Sequence, residues 1–585
     1  MPLGCLCALT GTNVHGCCFF DPSIVFIQIC VAGNEFCERL AYNGLSNNLI
    51  VYFTVVVGMS KSDAASQVTL WGGACSVTAL LGAWVADEFL GRFKTILYFS
   101  IVYLVGFILL TLSSFLQSGN SDSVNTIPLF VALYLVALGT GGIKSNVSSF
   151  GADQFDESIE EERKAKESFF NWFYMVINLG SLFSSSVIIY IQTDVSWTIG
   201  YLIPTIFMGM SIVIFVLGSG FYKMNVPIHS PLSRCVNVVF EATRNSFKKK
   251  PSGATMTPRM NPSHGEKSSW LDKAVKPIGK FNHDQVDEVK LVVGLLPIMI
   301  VAILYWTVYS QMGTTFVLQG MQMDQMIFGM QVPPATLITV NIITVIVLVP
   351  LFDRVIWPGL ERIGCKITLL QKIGWGMVIV ILAVLYAGVL ETYRLHLAHT
   401  GHIISESDSG DPPKVALSIF WQAPAYIIVA FSEIFASIGQ YEFFYSQAPD
   451  SMRSCCTALQ LLATALGSFL SSGLIALVEY CTEGNPWMPY NLNIGHLNYL
   501  FFLVALIGAT NLLFYIYVAG RYRVKSVDHA APSSQTTAYQ SLETNDDEIP
   551  SKPSISIRKH GGRDLFPARS LTETLMSPAL PSNMR

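Results

Sequence analysis

Charge is scarce in this chain: only 13% of its 585 residues are Asp, Glu, Lys or Arg, against roughly 25% in an ordinary soluble protein. With 51% hydrophobic residues and positive mean hydropathy, that shortage excludes a soluble globular protein and points to a multi-pass membrane protein. A basic excess is also missing. The net charge is −4, so no nucleic-acid partner is expected. The twelve cysteines form no C-x-x-C pair and no His cluster at zinc spacing, so neither a metal site nor a cofactor is expected. Five of them, Cys30, Cys37, Cys75, Cys455 and Cys456, fall in apolar runs, where cysteine acts as a small buried hydrophobe. Cys5, Cys7, Cys17 and Cys18 form a small N-terminal group, acceptors for palmitate or part of a plain tail. No positive segment precedes the first apolar run, so no cleaved signal peptide is expected. No nucleophile–base pair stands out, which argues against an enzyme.

What is there is apolar sequence in lengths that suit a bilayer. A hydrocarbon core of about 30 Å needs about 20 helical residues. Twelve runs meet that length, six on each side of a polar stretch. The expected organisation is an N-terminal tail over 1–22, a six-helix bundle over 23–221, a linker over 222–286, a second bundle over 287–522 and a disordered tail over 523–585. Lys and Arg concentrate in loops 2–3, 4–5 and 8–9 and in the linker, which includes Lys248, Lys249 and Lys250. Opposite loops hold little beyond Lys61, Arg394 and Lys414. That bias places both termini in the cytosol. Loop 9–10, read as Tyr393 to Lys414, carries His396, His399 and His402, which suit a solvated loop better than a metal site. The tail contains Tyr539-Gln-Ser-Leu542, which fits a tyrosine-type endosomal sorting signal.

The halves echo each other. Gly82-Ala-Trp-Val-Ala-Asp87-Glu-Phe-Leu-Gly-Arg92 occupies loop 2–3, and Pro350-Leu-Phe-Asp353-Arg354 the same place in the second half. Repeated six-helix halves rocking around a midplane site are the architecture of major facilitator transporters, an all-α membrane fold. Asp87 and Arg92 are expected to form a helix-end charge latch between the bundles, with a gating role.

Ionisable residues inside apolar runs are costly and are functional-site candidates. Glu35, Glu38, Arg39 and Tyr42 fall at i, i+3, i+4 and i+7 in the first run, on one helix face. The cluster carries −1 when fully ionised, so one proton neutralises it, which is the chemistry of a proton-coupled device. Lys144 follows Gly139-Thr-Gly-Gly-Ile, where small residues permit close helix approach. Glu433 is the complementary anion in span 10, and the two are expected to pair across the bundle interface as a switch. Trp306, Tyr309 and Gln311 lie among Thr307, Ser310, Thr314 and Thr315, a polar face that suggests a cavity wall. Asn171 and Asn341 are amides at membrane depth, available for interhelix bonding or for a ligand.

The chain resembles the proton-coupled oligopeptide transporter family, in its plant-type peptide/nitrate branch. The resemblance rests on Glu35-Phe-Cys-Glu38-Arg39, on Leu138 to Lys144 with Phe150-Gly-Ala-Asp-Gln-Phe155, on Phe169 to Tyr174 with Ile177 to Ser181, and on Glu442 to Asp450. It runs from about 22 to 522. It implies that Glu35, Glu38 and Arg39 carry proton coupling and that Lys144 binds a peptide's carboxyl end. Asn171, Asn341 and Glu433 would bind the amino end, with Tyr42, Trp306 and Gln311 lining the cavity.

Departures from the family pattern sharpen this. The peptide branch has an Arg at the position of Ser46 and an acid at the position of Ser310, a gating salt bridge. Losing both avoids an orphan buried charge, so the outer gate must close another way. The nitrate-binding member has a histidine where this chain has Tyr309. A cationic imidazole suits a small anion and a neutral phenol does not. Asn43 and Ser76 stand where tyrosine is usual, which widens the pocket. Thr95 matches a threonine phosphorylated in the nitrate member, so it is a candidate phosphosite beside Arg92 and Lys94, or an ordinary helix-start threonine. The expected function is alternating-access import of di- and tripeptides with a co-transported proton. Alternatives are a nitrate, histidine or other small organic solute, or a substrate-sensing transceptor with little flux. The expected partners are a small peptide, protons and the lipid bilayer of a plasma, vacuolar or lysosomal membrane.

Overall fold

The computed structural model describes residues 22–119, 126–156, 160–224, 230–247, 270–276, 279–327, 329–364, 367–404, 412–447 and 452–522. The N-terminal cysteines, Lys248 to Lys250 and the Tyr539 motif lie outside them, as does the side chain of Asn171. Eleven helices among the described residues are long and apolar enough to cross a bilayer. In the first half these are α2 (Lys61–Leu90), α3 (Arg92–Leu116), α4 (Thr126–Ala152), α5 (Trp172–Val195) and α6 (Trp197–Gly220). A linker helix, α7 (Pro231–Phe247), follows. The second half has α8 (His283–Met321), α9 (Pro334–Arg362), α10 (Leu369–His399), α11 (Ile419–Gln447), α12 (Arg453–Cys481) and α13 (Leu497–Arg521). The twelfth expected span is α1 (Pro22–Ser46), set apart from the others by the charges of Glu35, Glu38 and Arg39.

These helices are apolar around much of their circumference, because one side meets neighbours and the other meets lipid. At most 56% of any spanning window is buried within the protein, while Leu217 and Leu513 are each 70% exposed. A belt of such residues is stable only against hydrocarbon. The 39 residues of α8 would measure about 58 Å as one straight helix, well beyond a bilayer core of about 30 Å. Its extra length projects on the side of the linker, here called the linker side. The opposite end of the molecule is the far side.

Two local devices position the site. The helix of the first span is interrupted by a turn at Asn47–Asn48, and Gln192 of α5 bonds across the interruption. Its amide donates to Gly44 O at 3.0 Å and accepts from Asn48 Nδ2 at 2.9 Å. In α4 the glycines allow backbone contact. A Cβ on Gly141 would stand 2.4 Å from the Thr78 backbone, and one on Gly139 2.5 Å from Tyr103. That fit holds α4 against α2 and α3 and fixes the rotation of Lys144.

At the far side of the second half the expected loop 9–10 is partly helix. α10 runs to His399, so Tyr393, Arg394 and His396 belong to it. The segment beyond adds a strand, Ile403–Ile404, antiparallel to Lys414–Ser418, which pairs in parallel with Met323–Asp324. Arg394 is not a loop cation. It is fully buried with Glu391, their nearest nitrogen and oxygen 2.6 Å apart, and its guanidinium also donates to Asn493 Oδ1 and Leu492 O. Glu391 accepts a further bond from Gln319 at 3.0 Å. Removing one partner of such a pair strands a buried charge. Arg394→Met should therefore cost about 3–5 kcal/mol of stability, and the double change with Glu391→Met distinctly less. Thermal unfolding in detergent checks the order of the two variants; an equal or greater loss in the double would contradict it.

Candidate functional site

The two halves meet in a seam that is closed toward the far side. Ser66 Oγ and Ser472 Oγ are 2.6 Å apart between α2 and α12, and Thr339 donates to Ser185 at 2.9 Å between α9 and α5. Thr54 Oγ1 reaches Met321 Sδ at 3.9 Å. Each residue stands in the far-side half of its span. The gate expected to close without an Arg–acid pair thus uses neutral hydroxyls among its contacts.

Beneath this seal lies a cavity of about 380 Å³, within the range of small-molecule sites. Both halves line it: Tyr42, Asn43 and Lys144 on one side, Trp306, Tyr309 and Asn341 on the other. Ser46, Ser76 and Ser310 also face it.

The carboxylate cluster sits behind the first wall. Arg39 Nε is 2.7 Å from Glu35 Oε1 and 2.9 Å from Glu38 Oε2, with both glutamates buried. Thr140 donates to the other oxygen of Glu38 at 2.7 Å. Lys144 stands 5.2 Å over the Tyr42 ring, which stacks on Trp71. Counting Lys144, the four groups sum to zero when fully ionised. Thr140 and Trp71 were missed by sequence reasoning. Thr140 was findable, because it lies one turn before Lys144 on the same face of α4.

Lys144 and Glu433 do not pair, which corrects the expected switch: among the described residues no ion pair joins them. Glu433 Oε1 accepts from Tyr309 Oη and from Asn341 Nδ2, both at 2.9 Å. Lys144 lines the cavity from the first half, whereas Glu433 stands behind Tyr309 and Asn341 on the other side and is not itself among the cavity-lining residues. Gln311 also departs from expectation. Its amide donates to Ser471 Oγ and Thr307 O and its oxygen accepts from Thr315, so it packs against α12 and is not among the cavity-lining residues. Asn43 does line the cavity, with its amide tied to Ser181 of α5 at 2.8 Å. Trp306 lines the cavity, and its buried Nε1 has no hydrogen-bond partner among the described residues.

The loop 2–3 expectations change as well. Arg92 pairs with Asp153 and donates to Ser149 O, both on or just beyond α4. The latch is therefore internal to the first half, and no ion pair among the described residues links Arg92 to Asp87 or to the second half. Its neighbour Glu88 instead accepts from Ser230 N and Ser233 Oγ, holding the start of α7. Thr95 is fully buried and donates to Gly91 O at 2.9 Å, so a kinase could reach it only after the start of α3 opened.

Comparison with known proteins bears on this geometry. A model of the POT family matches residues 93–488. Protein NRT1/PTR FAMILY 8.1 of Arabidopsis thaliana is 40% identical over 536 residues, covering 85% of this chain and 93% of that protein. Protein NRT1/PTR FAMILY 5.10 of the same plant is 38% identical over 520 residues, with 85% and 93% covered. The structure of an auto-inhibited POT family peptide transporter superposes with a TM-score of 0.66 at 24% identity, over 87% of this chain and 99% of that one. The POT family transporter PepTSo gives 0.67 at 22% identity, over 86% and 98%. At these identities the structures attest the fold.

Proposed function

Because this chain belongs to the POT family, and is a multi-pass membrane transporter and not an enzyme, we propose that it imports di- and tripeptides by proton symport. The observation that carries this reading is the Arg39-bridged pair of Glu35 and Glu38 one helical turn behind Tyr42, whose ring carries the cavity-lining ammonium of Lys144; these four charges are counted together as the cluster. Fully ionised, the cluster is neutral. A proton on one glutamate leaves it at +1, which a substrate carboxylate at Lys144 neutralises. Proton and carboxylate then favour each other's binding, and that reciprocal coupling is what symport requires.

The second wall suits the other end of the same molecule. Glu433, held by Tyr309 and Asn341, offers a carboxylate to an ammonium group. The cavity between the walls has room for a short peptide and a positive and a negative pole in the right halves. A solved POT family transporter, 17% identical to this chain, is in complex with 5-aminolevulinic acid, itself an amine and a carboxylate on one small molecule. Nitrate fits less well, since Tyr309 is neutral and brings the Glu433 carboxylate to that wall, which repels a small anion. The Lys/Arg bias puts the linker side in the cytosol, so a seam closed at the far side corresponds to an inward-facing state.

Competition against a labelled dipeptide in proteoliposomes, across external pH, tests the assignment. Unlabelled dipeptides should compete and should drive proton entry, while nitrate and histidine should not compete. Competition by nitrate at the level of dipeptides would move the substrate class.

A further inference from the structure

Three sulfur atoms meet where the linker helix touches the second half. Cys235 Sγ of α7 lies 3.5 Å from Cys455 Sγ and 3.7 Å from Met452 Sδ, and Cys455 Sγ is 3.9 Å from the same Sδ. The triangle is nearly equilateral. The point equidistant from its corners is about 2.1 Å from each, close to the ~2.3 Å of a metal–thiolate bond. Met452 and Cys455 are buried, at 0% and 2% exposure, while Cys235 is half-buried and gives a path from solvent. None of the three belongs to the transport site.

We propose that Cys235, Met452 and Cys455 form a trigonal site for a soft monovalent cation of the Cu(I) class. Two thiolates and a thioether are the donor set that soft ions select over harder ones. Zinc would ask for a fourth nitrogen, oxygen or thiolate ligand in a tetrahedron, and among the described residues no group of three His, Cys, Asp or Glu is placed to hold a metal. Binding forms two Cu–thiolate bonds and one Cu–thioether bond and breaks two S–H bonds. Both protons pass to solvent and the metal keeps its oxidation state.

The location gives the ion a mechanical role. α7 is tied to the first half by Trp84 Nε1 to Ser233 Oγ at 2.9 Å and by Glu88, and to α8 by Arg234 with Glu288 at 3.1 Å. An ion that fastens α7 to the start of α12 adds a second, stronger tie to the second half and tightens this strap on the linker side. Transport requires that side to open and close, so the strap slows the cycle. This consequence rests on the transport reading; the binding site itself does not.

The test uses the full chain in nanodiscs, with Cys5, Cys7, Cys17 and Cys18 changed to serine to remove the other clustered thiols. Cu(I) is added under anaerobic reducing conditions in competition with a chromophoric chelator. One equivalent should be withheld from the chelator, and X-ray absorption should show three sulfurs near 2.3 Å. C235S and C455S should each weaken retention by about 100-fold and M452L by about 10-fold, and C235S, at the half-buried position, should do so without shifting metal-free thermal unfolding. Added Cu(I) should slow dipeptide uptake several-fold in the parent and leave C235S unaffected. Failure to retain an equivalent, retention unchanged in the C235S/C455S double variant, or equal retention of Zn(II) would each overturn the site. Retention without slowed uptake would overturn the strap alone.

Discussion

A Glu38→Gln protein should show no proton-driven accumulation of dipeptide, yet should still exchange dipeptide across a membrane in counterflow. Glu38 is completely buried between two partners: Thr140 donates to Oε1 at 2.7 Å, and Arg39 Nε lies 2.9 Å from Oε2. Glutamine keeps the shape and can still accept from Thr140, so the cavity and the substrate contacts stay in place. Its amide turns two N–H donors toward a guanidinium that has only donors, which costs about 1–3 kcal/mol of local stability. More important, the amide neither carries charge nor titrates. With Glu35 ionised, the cluster of Glu35, Arg39 and Lys144 then stands at +1 with no proton bound, the charge the wild-type cluster reaches only with one. Substrate carboxylate binds whether or not a proton is available, so its movement no longer depends on the proton gradient. Counterflow needs only loaded transitions and should persist. The measurement is paired: accumulation under an imposed pH gradient, and exchange with no gradient. Gradient-driven accumulation at the wild-type level would take Glu38 out of the coupling role, and loss of both activities would make it a structural residue.

What could be read from the residues divides along a physical line. The helices were legible because bilayer thickness fixes their length and composition, and the pairing of Glu35, Glu38 and Arg39 because it is local to one helix face. Glu391 and Arg394 also share a helix, at i and i+3, but their burial is set by Gln319 and Asn493 from far along the chain, so Arg394 passed for a loop cation. Lys144 and Glu433 show the same limit in the site itself. Two opposite charges at membrane depth suggest a pair, yet their contacts depend on how α4 and α11 are rotated. The glycine contacts of α4 turn Lys144 toward the Tyr42 ring. Tyr309 and Asn341 were each picked out, but nothing local indicates that they converge on one oxygen of Glu433. The far-side gate was legible only as an absence at Ser46 and Ser310. Its replacement lies elsewhere, in Ser66, Ser472, Ser185 and Thr339, which as ordinary hydroxyl residues carry no signal. Because these hydroxyls do not titrate, this part of the gate should close equally well across the pH range in which the carboxylate cluster exchanges its proton.

Lys144→Ala should weaken uptake of dipeptides with a free carboxyl end roughly 10- to 100-fold, the equivalent of about 1.5–3 kcal/mol for a hydrogen bond to a charged group. The side chain lines the cavity, and its ammonium lies 5.2 Å over the Tyr42 ring, which holds the cation at the wall without consuming its donors. The comparison that gives the experiment its meaning is with the same dipeptide amidated at its C-terminus. That ligand keeps the amine for Glu433 and the peptide backbone but has no carboxylate for Lys144. It should bind the wild-type protein more weakly than the acid does, and the variant should handle the two nearly alike. If alanine instead depresses both ligands by the same factor, Lys144 is supporting the Glu35–Glu38–Arg39 cluster or the fold, and the clamp is elsewhere. The charge count separates these further. Without Lys144 the ionised cluster stands at −1 and repels a carboxylate, so the acid should lose more than one hydrogen bond's worth. An excess loss for the acid that shrinks as external pH falls, when a proton restores neutrality, would tie the clamp and the proton site into one electrostatic unit.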